Sequence, residues 1–369
     1  MSTTQSADKC YTITYKTVKD VPIKFDIYPP ASFTSDKPLP SVVHFHGGGF
    51  ALGSRLDFLP VWLQKRLHAA GIVFISADYR LLPTGGITGH QILEDVQDLF
   101  AFLHSPKLPA AIDSAVSEAG QPKFTLDTQR IAVTGGSAGG MLALLSGAHI
   151  RPRPVAILSL FGMGGDVFTP HYFSPKTKPF LTGRPLIDPS KFTQFLYPNP
   201  SSNGEIITES RLAFLPPASP GGPPTPANPR MAVALLYLQL GTSLDYYTGE
   251  HEPSLSQTLR DASTNGASRE ELVSLIPGRH RLLFPEFYVD ENFPPTFFLH
   301  GTADTAVLLQ ESENMYALLK KAGGKAGRES TIRRPEGQEH YFDILVPDVE
   351  EKFGHKFDEA VEFLKKHLG

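Results

Sequence analysis

Gly135-Gly136-Ser137-Ala138-Gly139 lies between an apolar run of strand character, Arg130-Ile131-Ala132-Val133-Thr134, and one of helix character, Met141-Leu142-Ala143-Leu144-Leu145. A serine between glycines at a strand-to-helix junction is forced into a strained turn that lifts its hydroxyl clear of the sheet. Flanking glycines keep side chains out of that crowded turn, and the first amide of the helix points at whatever binds the serine. The pentapeptide is weak alone in a chain with 32 glycines, so its neighbours must carry the argument. A phosphate-cradling loop is the bland alternative. No lysine follows Ser137 into the helix, and the spacing does not fit G-x-G-x-x-G.

Upstream, the buried-strand pattern Pro40-Ser41-Val42-Val43-His44-Phe45 runs into His46-Gly47-Gly48-Gly49-Phe50. Three consecutive glycines leave backbone N–H groups unshielded, which suits the stabilisation of an oxyanion formed when a serine attacks a carbonyl. The expected donors are the amides of Gly47, Gly48 and Ala138. A mere tight turn is the poorer account of three glycines behind a strand. Downstream, Pro294 to Gly301 reads as a strand ended by a turn, and Asp304 follows in the loop at its C-terminal end. Arg328 to Arg334 is expected to form the last strand, and Glu336 to Phe342 supplies a loop histidine, His340. The order Ser137, Asp304, His340 fits a triad: histidine takes the serine proton, and the carboxylate fixes the histidine tautomer and stabilises the imidazolium.

On these residues the chain resembles an α/β-hydrolase of the hormone-sensitive-lipase-like carboxylesterase branch. The resemblance rests on His46-Gly47-Gly48-Gly49, Asp78-Tyr79-Arg80-Leu81, the Gly135 to Gly140 elbow, His300-Gly301-Thr302-Ala303-Asp304 and His340, spanning roughly residues 10 to 162 and 293 to 369. It implies that Ser137, Asp304 and His340 are catalytic, that Gly47, Gly48 and Ala138 form the oxyanion hole, and that His46 braces the glycine loop. Three departures set the chain apart. Gly136 and Thr84 stand where acidic residues are usual, and the Asp304 segment is closer to prolyl-peptidase and feruloyl-esterase relatives.

A length of 369 residues fits one large domain or two, with 41% hydrophobic and 20% charged residues supporting a sizeable core. A net charge of −4 without a basic run gives no case for nucleic acid. The single cysteine, Cys10, excludes an intrachain disulfide and cysteine-cluster metal sites. Met1 to Lys9 is polar, without a visible signal peptide, and no apolar run reaches the ~18 residues of a membrane span. The expectation is a cytoplasmic protein acting on a small-molecule ester, needing neither metal nor organic cofactor, with its oligomeric state left open.

Along the chain, Tyr11 to Thr17 and Ile23 to Tyr28 alternate as an antiparallel pair, and Phe58 to Ala70 reads as the first crossover helix, closed by Gly71. A strand over Ile72 to Ala77 precedes a helix over His90 to Leu103, whose stripe is Ile92, Leu93, Val96, Leu99, Phe100 and Leu103. Another strand is expected at Val155 to Phe161, a helix at Gln310 to Ala322, and a terminal helix around Phe357 to His367. Such alternation implies a mostly parallel sheet flanked by helices on both faces.

The expected division is a core of residues 1–162 and 293–369 with an inserted lid, 163–292, between the sixth and seventh sheet strands. The lid carries a proline-rich linker over 216–229, after which Asn228-Pro229 caps a helix ended by Gly241. Its aromatics (Phe168, Tyr172, Phe173, Phe192, Phe195, Tyr197, Tyr237, Tyr246 and Tyr247) suit an apolar pocket, with most of them ordinary lid core. His44 and His46 alternate and so face opposite ways, which argues against shared metal ligation. His300 and the Asp78 to Arg80 segment read as structural, and His355 is the rival to His340 as base.

The leading function is cleavage of carboxylic esters through an acyl-enzyme. A biosynthetic acyl-processing hydrolase, releasing or cyclising a polyketide-like chain, or an amidase is the alternative among enzymes. From another class, the scaffold could be a small-ligand receptor with a dead triad, against which the complete Ser-Asp-His set argues.

Overall fold

The computed structural model describes residues 10–33, 37–118, 122–181, 183–199, 204–216 and 225–369. The polar stretch up to Lys9 and the linker residues 217–224 lie outside the described residues. Eight strands form one sheet in the order β1-β2-β4-β3-β5-β6-β9-β10. They are β1 Tyr11–Val18, β2 Val21–Tyr28, β3 Leu39–Phe45, β4 Val73–Ala77, β5 Leu126–Gly136, β6 Ile157–Leu160, β9 Thr296–Leu299 and β10 Thr331–Arg333. A separate hairpin pairs β7 Phe214–Leu215 with β8 Thr225–Pro226. β1 and β2 are antiparallel to their neighbours, while β4, β3, β5, β6, β9 and β10 run parallel.

Register places side chains of matching character on each face, because successive strand residues point to opposite sides. Val42, Phe74, Ala132, Leu158 and Phe297 bury against helices Val61–Ala69 and Val349–Leu368. Trp62 stacks on Phe357 at 4.1 Å between those two helices. Val43, Ile75, Val133, Ile157 and Phe298 face the opposite layer, which includes helices Gly89–Leu103 and Ala138–His149. The expected stripe on Gly89–Leu103 is buried at all six positions. Both faces of the parallel region are therefore covered, as such sheets require.

Several boundaries differ from the sequence reading. The first crossover helix begins at Val61 rather than Phe58, because Pro60 sets its start. The last strand is only Thr331–Arg333, since residues up to Glu329 belong to the short helix Gly324–Glu329. The terminal helix begins at Val349. Helix Lys107–Glu118 was not anticipated.

The segment between β6 and β9 lies on the glycine loop after β3. Arg230 donates to the Ala51 carbonyl at 2.9 Å, Tyr247 stacks on Phe50 at 4.9 Å, and Ser210 and Gly53 exchange backbone hydrogen bonds. Its helix Val233–Leu240 ends at Gly241 in a left-handed conformation, as the sequence suggested. Asn228 caps Arg230 ahead of it, so the far end of the 216–229 stretch is ordered rather than linker. Some aromatics of this segment pack on one another: Tyr237 on Tyr246 at 3.6 Å, and Phe168 on Phe284 at 4.8 Å.

Candidate active site

Ser137 follows the end of β5 with φ 56° and ψ −121°, a conformation a non-glycine residue holds only under the constraint of its surroundings. Its N–H donates to Leu160 O at 3.0 Å, and its carbonyl accepts from Gly140 and Met163. The turn needs its glycines: a Cβ on Gly139 would stand 2.0 Å from Phe45 O, and one on Gly135 2.2 Å from Gly139 O. At Gly136, where the resembled branch carries an acidic residue, a Cβ would lie 3.0 Å from the Phe161 ring. The departure is thus matched by an aromatic filling that space.

Asp304 sits in the loop after β9. Its Oδ1 accepts from the N–H groups of Ala306 and Val307, each at 2.9 Å. Its Oδ2 lies 2.6 Å from His340 Nδ1 and 3.2 Å from His300 Nε2. Burial opposes the charged form, but His340 and His300 outweigh it and hold the carboxyl well below the usual range. Asp304 and His340 are each 5% exposed, so their attraction is little screened.

His300, read from sequence as structural, touches the same carboxylate. Its Nε2 is also 2.9 Å from Val307 O, so both Nε2 partners are acceptors and this nitrogen carries the proton; Nδ1 then accepts from Ser312 at 2.8 Å. Nothing in linear spacing marks that contact. A second device joins the Asp304 and His340 loops: Glu339 accepts from the N–H and hydroxyl of Thr305, both at 2.7 Å. Beyond His340, Trp62 Nε1 donates to buried Asp343 at 2.9 Å and anchors the following turn. His355 is exposed on the terminal helix, beside Lys356, and has no part in this cluster.

Phe161 bridges serine and histidine, packing its edge on His340 at 5.0 Å while abutting Gly136. Among the described residues no hydrogen bond joins Ser137 to His340; the Ser137 side chain instead meets the hydroxyl of Tyr341. That hydroxyl accepts the Gly48 N–H at 3.2 Å. In the glycine loop, His46 stacks on Tyr79 at 4.3 Å, and Tyr79 donates to His46 O at 2.8 Å. Burial lowers His46 to about 4, so it braces the loop as a neutral ring. Asp78 pairs with Arg55, and Arg80 with Asp95, tying the neighbouring loops as expected. Among the described residues no cluster of three His, Cys, Asp or Glu side chains is disposed to hold a metal ion, and no helix is long and apolar enough to cross a membrane.

An eight-stranded, mostly parallel sheet with a serine elbow at the end of β5 and an Asp–His pair on the loops after β9 and β10 defines an α/β-hydrolase fold. A family model described as alpha/beta hydrolase fold matches residues 42–196. The chain is an α/β-hydrolase-fold protein resembling the hormone-sensitive-lipase-like carboxylesterase branch.

Among solved structures, the thermophilic esterase Est2 of Thermogutta terrifontis superposes with a TM-score of 0.56 at 18% identity, covering 97% of this chain and 92% of that one. The same esterase phosphonylated by sarin gives 0.55 at 17% identity, covering 99% and 98%. Among curated proteins, the non-reducing polyketide synthase pkbA of Emericella nidulans is 27% identical over 370 residues, 96% of this chain. The chain spans 14% of that synthase's length. The "Probable carboxylesterase M8" of a Phoma species is 33% identical over 152 residues, 40% of this chain and 45% of that protein.

Proposed function

We propose that this chain is a serine hydrolase that cleaves carboxylic esters through an acyl-enzyme, with Ser137 as nucleophile, His340 as general base and Asp304 as its orienting carboxylate. The observation that carries this reading is the 2.6 Å contact between His340 Nδ1 and an Asp304 carboxylate held ionised, on loops at the same sheet end as the strained serine. With Nδ1–H committed to Asp304, Nε2 is the free base. It takes the Ser137 proton as Oγ bonds the ester carbon, and the carbonyl electron pair moves onto oxygen. The oxyanion hole of Gly47, Gly48 and Ala138 stabilises that charge. His340 then protonates the departing alkoxide, and water repeats the sequence to release the acid. The segment 163–292 acts as a lid over the glycine loop and bounds the acyl pocket.

An alkyl fluorophosphonate should label Ser137 alone, and Ser137→Ala should remove ester turnover by roughly 10⁶-fold without loss of folding. A folded, unlabelled protein would instead favour the receptor reading. The phosphonylation by sarin of the Thermogutta esterase makes this probe appropriate.

A second reading has its own support. The match to a polyketide synthase runs over 96% of this chain, lid included, whereas the carboxylesterase match covers 40%. On this reading the lid selects a polyketide-like acyl chain for release or cyclisation. A panel of p-nitrophenyl esters from acetate to decanoate, run beside an aryl polyketide thioester, separates the two. Simple esterase action gives rates rising several-fold per carbon until the pocket fills, since each buried methylene is worth about 0.8 kcal/mol. A labelled enzyme that turns over only the thioester is a biosynthetic one.

A further inference from the structure

Tyr341, one residue past the general base, has its hydroxyl in the oxyanion hole. The hydroxyl accepts the Gly48 N–H at 3.2 Å and touches the Ser137 side chain. It also presses on Gly47 so closely that a Cβ there would stand 2.0 Å from the phenol oxygen. The ring cannot drift from this position easily. It stacks on Phe58 at 4.9 Å and meets the edge of Phe161 at 5.0 Å. The backbone reinforces the aim: Tyr341 has φ 59°, left-handed for a bulky residue, and its carbonyl accepts from Ile344 and Leu345 in the turn anchored by Trp62 and Asp343. An off-region backbone at an active site held by packing on both sides marks a side chain that is being aimed.

The geometry points to Tyr341 as a further catalytic residue, whose phenolic O–H donates a hydrogen bond to the oxyanion of the tetrahedral intermediate. A hydroxyl has one donor and two acceptor positions. Here one acceptor position takes Gly48 N–H, and that bond polarises the phenol, leaving its own proton available to the oxyanion. Ser137 Oγ and the oxyanion are bonded to the same carbon in the intermediate, so a hydroxyl beside Oγ brings its proton to the oxyanion by rotation about its C–O bond. Gly48 thus acts on the reaction through Tyr341, while Gly47 and Ala138 present their N–H groups directly. No proton is transferred from the phenol: burial raises its pKa above the ordinary tyrosine value, and it stays neutral through the cycle. This inference rests on the serine-hydrolase reading above, and it makes a prediction the glycine loop alone does not.

Tyr341→Phe keeps the ring and both stacking partners and removes only the hydroxyl, so the melting temperature should stay within a few degrees of wild type. Fluorophosphonate labelling of Ser137 passes through an oxyanion in the same hole, and it should slow by roughly 10²–10³-fold in the variant. With a p-nitrophenyl ester, kcat should fall by the same factor with KM little changed. Affinity for a trifluoromethyl ketone, which forms the tetrahedral adduct, should fall in parallel. If the hydroxyl merely plugs the hole, Tyr341→Phe will label and turn over as fast as wild type or faster, and the proposal is overturned. If the wild type itself fails to label at Ser137, the serine-hydrolase reading falls and this one with it. Slow labelling of the variant beside fast wild-type labelling supports both.

Discussion

At the scale of single residues, Asp304 is held by four donors or imidazoles, two on each oxygen. An ionised carboxylate accepts at every lone pair, whereas an amide cannot. Asp304→Asn therefore turns an NH₂ toward a donor and favours the wrong His340 tautomer, and kcat should fall on the order of 10⁴-fold with the fold intact. His340→Ala should cost nearly as much as Ser137→Ala, and the double variant little more than either, because the pair acts as a unit; steady-state kinetics on all three decides it. Activity retained in His340→Ala but lost in His355→Ala would move the base assignment. Glu339→Ala releases the clamp on Thr305, and kcat should drop by up to roughly 10²-fold from misplacement of the His340 loop, with KM nearly unchanged. Ser137, Asp304 and His340 were readable as candidates because each proposed role admits few residue types and each stands in a recognisable loop. Tyr341, His300 and Glu339 were not, because their roles exist only through contacts made across 34 to 293 positions of sequence or through a neighbour's carboxylate.

At the scale of elements, the elbow depends on backbones approaching within contact distance, and the collision a Cβ at Gly139 would make is with the Phe45 carbonyl, which cannot swing away. Gly139→Ala is expected to destabilise by about 3 kcal/mol, seen as a lowered urea midpoint, and to lose activity even where it folds. Strands and the Gly89–Leu103 helix were legible because their apolar period is complete. Helix Lys107–Glu118 escaped notice although Leu108, Ile112 and Val116 make a buried stripe. Pro106 and Pro109 flank its first turn, where a proline gives up an N–H that has no partner in any case. The terminal helix was truncated for a related reason. Half of its first residues, Val349 to Lys356, are charged, and the buried stripe begins only at Phe357.

At the scale of the whole molecule, buried ionisable groups tie stability to pH through their titration. Burial lowers His44 to about 3 and His46 to about 4, against about 6.5 in the unfolded chain. Their contribution is full above pH 6.5 and is lost as pH falls toward those values, because the unfolded chain binds protons the native one refuses. Asp78, raised by burial to about 7, and Glu286, raised to about 8, titrate in the opposite sense, losing stability as pH rises. A variant comparison isolates one group. His44→Phe should shrink the stability lost between pH 7 and pH 5 by about 2 kcal/mol, read from urea unfolding at both values. An unchanged pH dependence would mean that His44 titrates alike in the native and unfolded states. The sequence by itself determined the parallel sheet, the serine elbow, the glycine loop and the candidate residues Ser137, Asp304 and His340. Those follow from periods of two and 3.6, from turn sterics and from the few side chains able to do each job. Only the tertiary structure decided how the inserted segment rests on the glycine loop, that a second histidine reaches Asp304, and that a tyrosine hydroxyl accepts the Gly48 N–H. Packing geometry sets such contacts rather than local propensity, whether they span 293 positions, as Gly48 to Tyr341 does, or four, as His300 to Asp304 does.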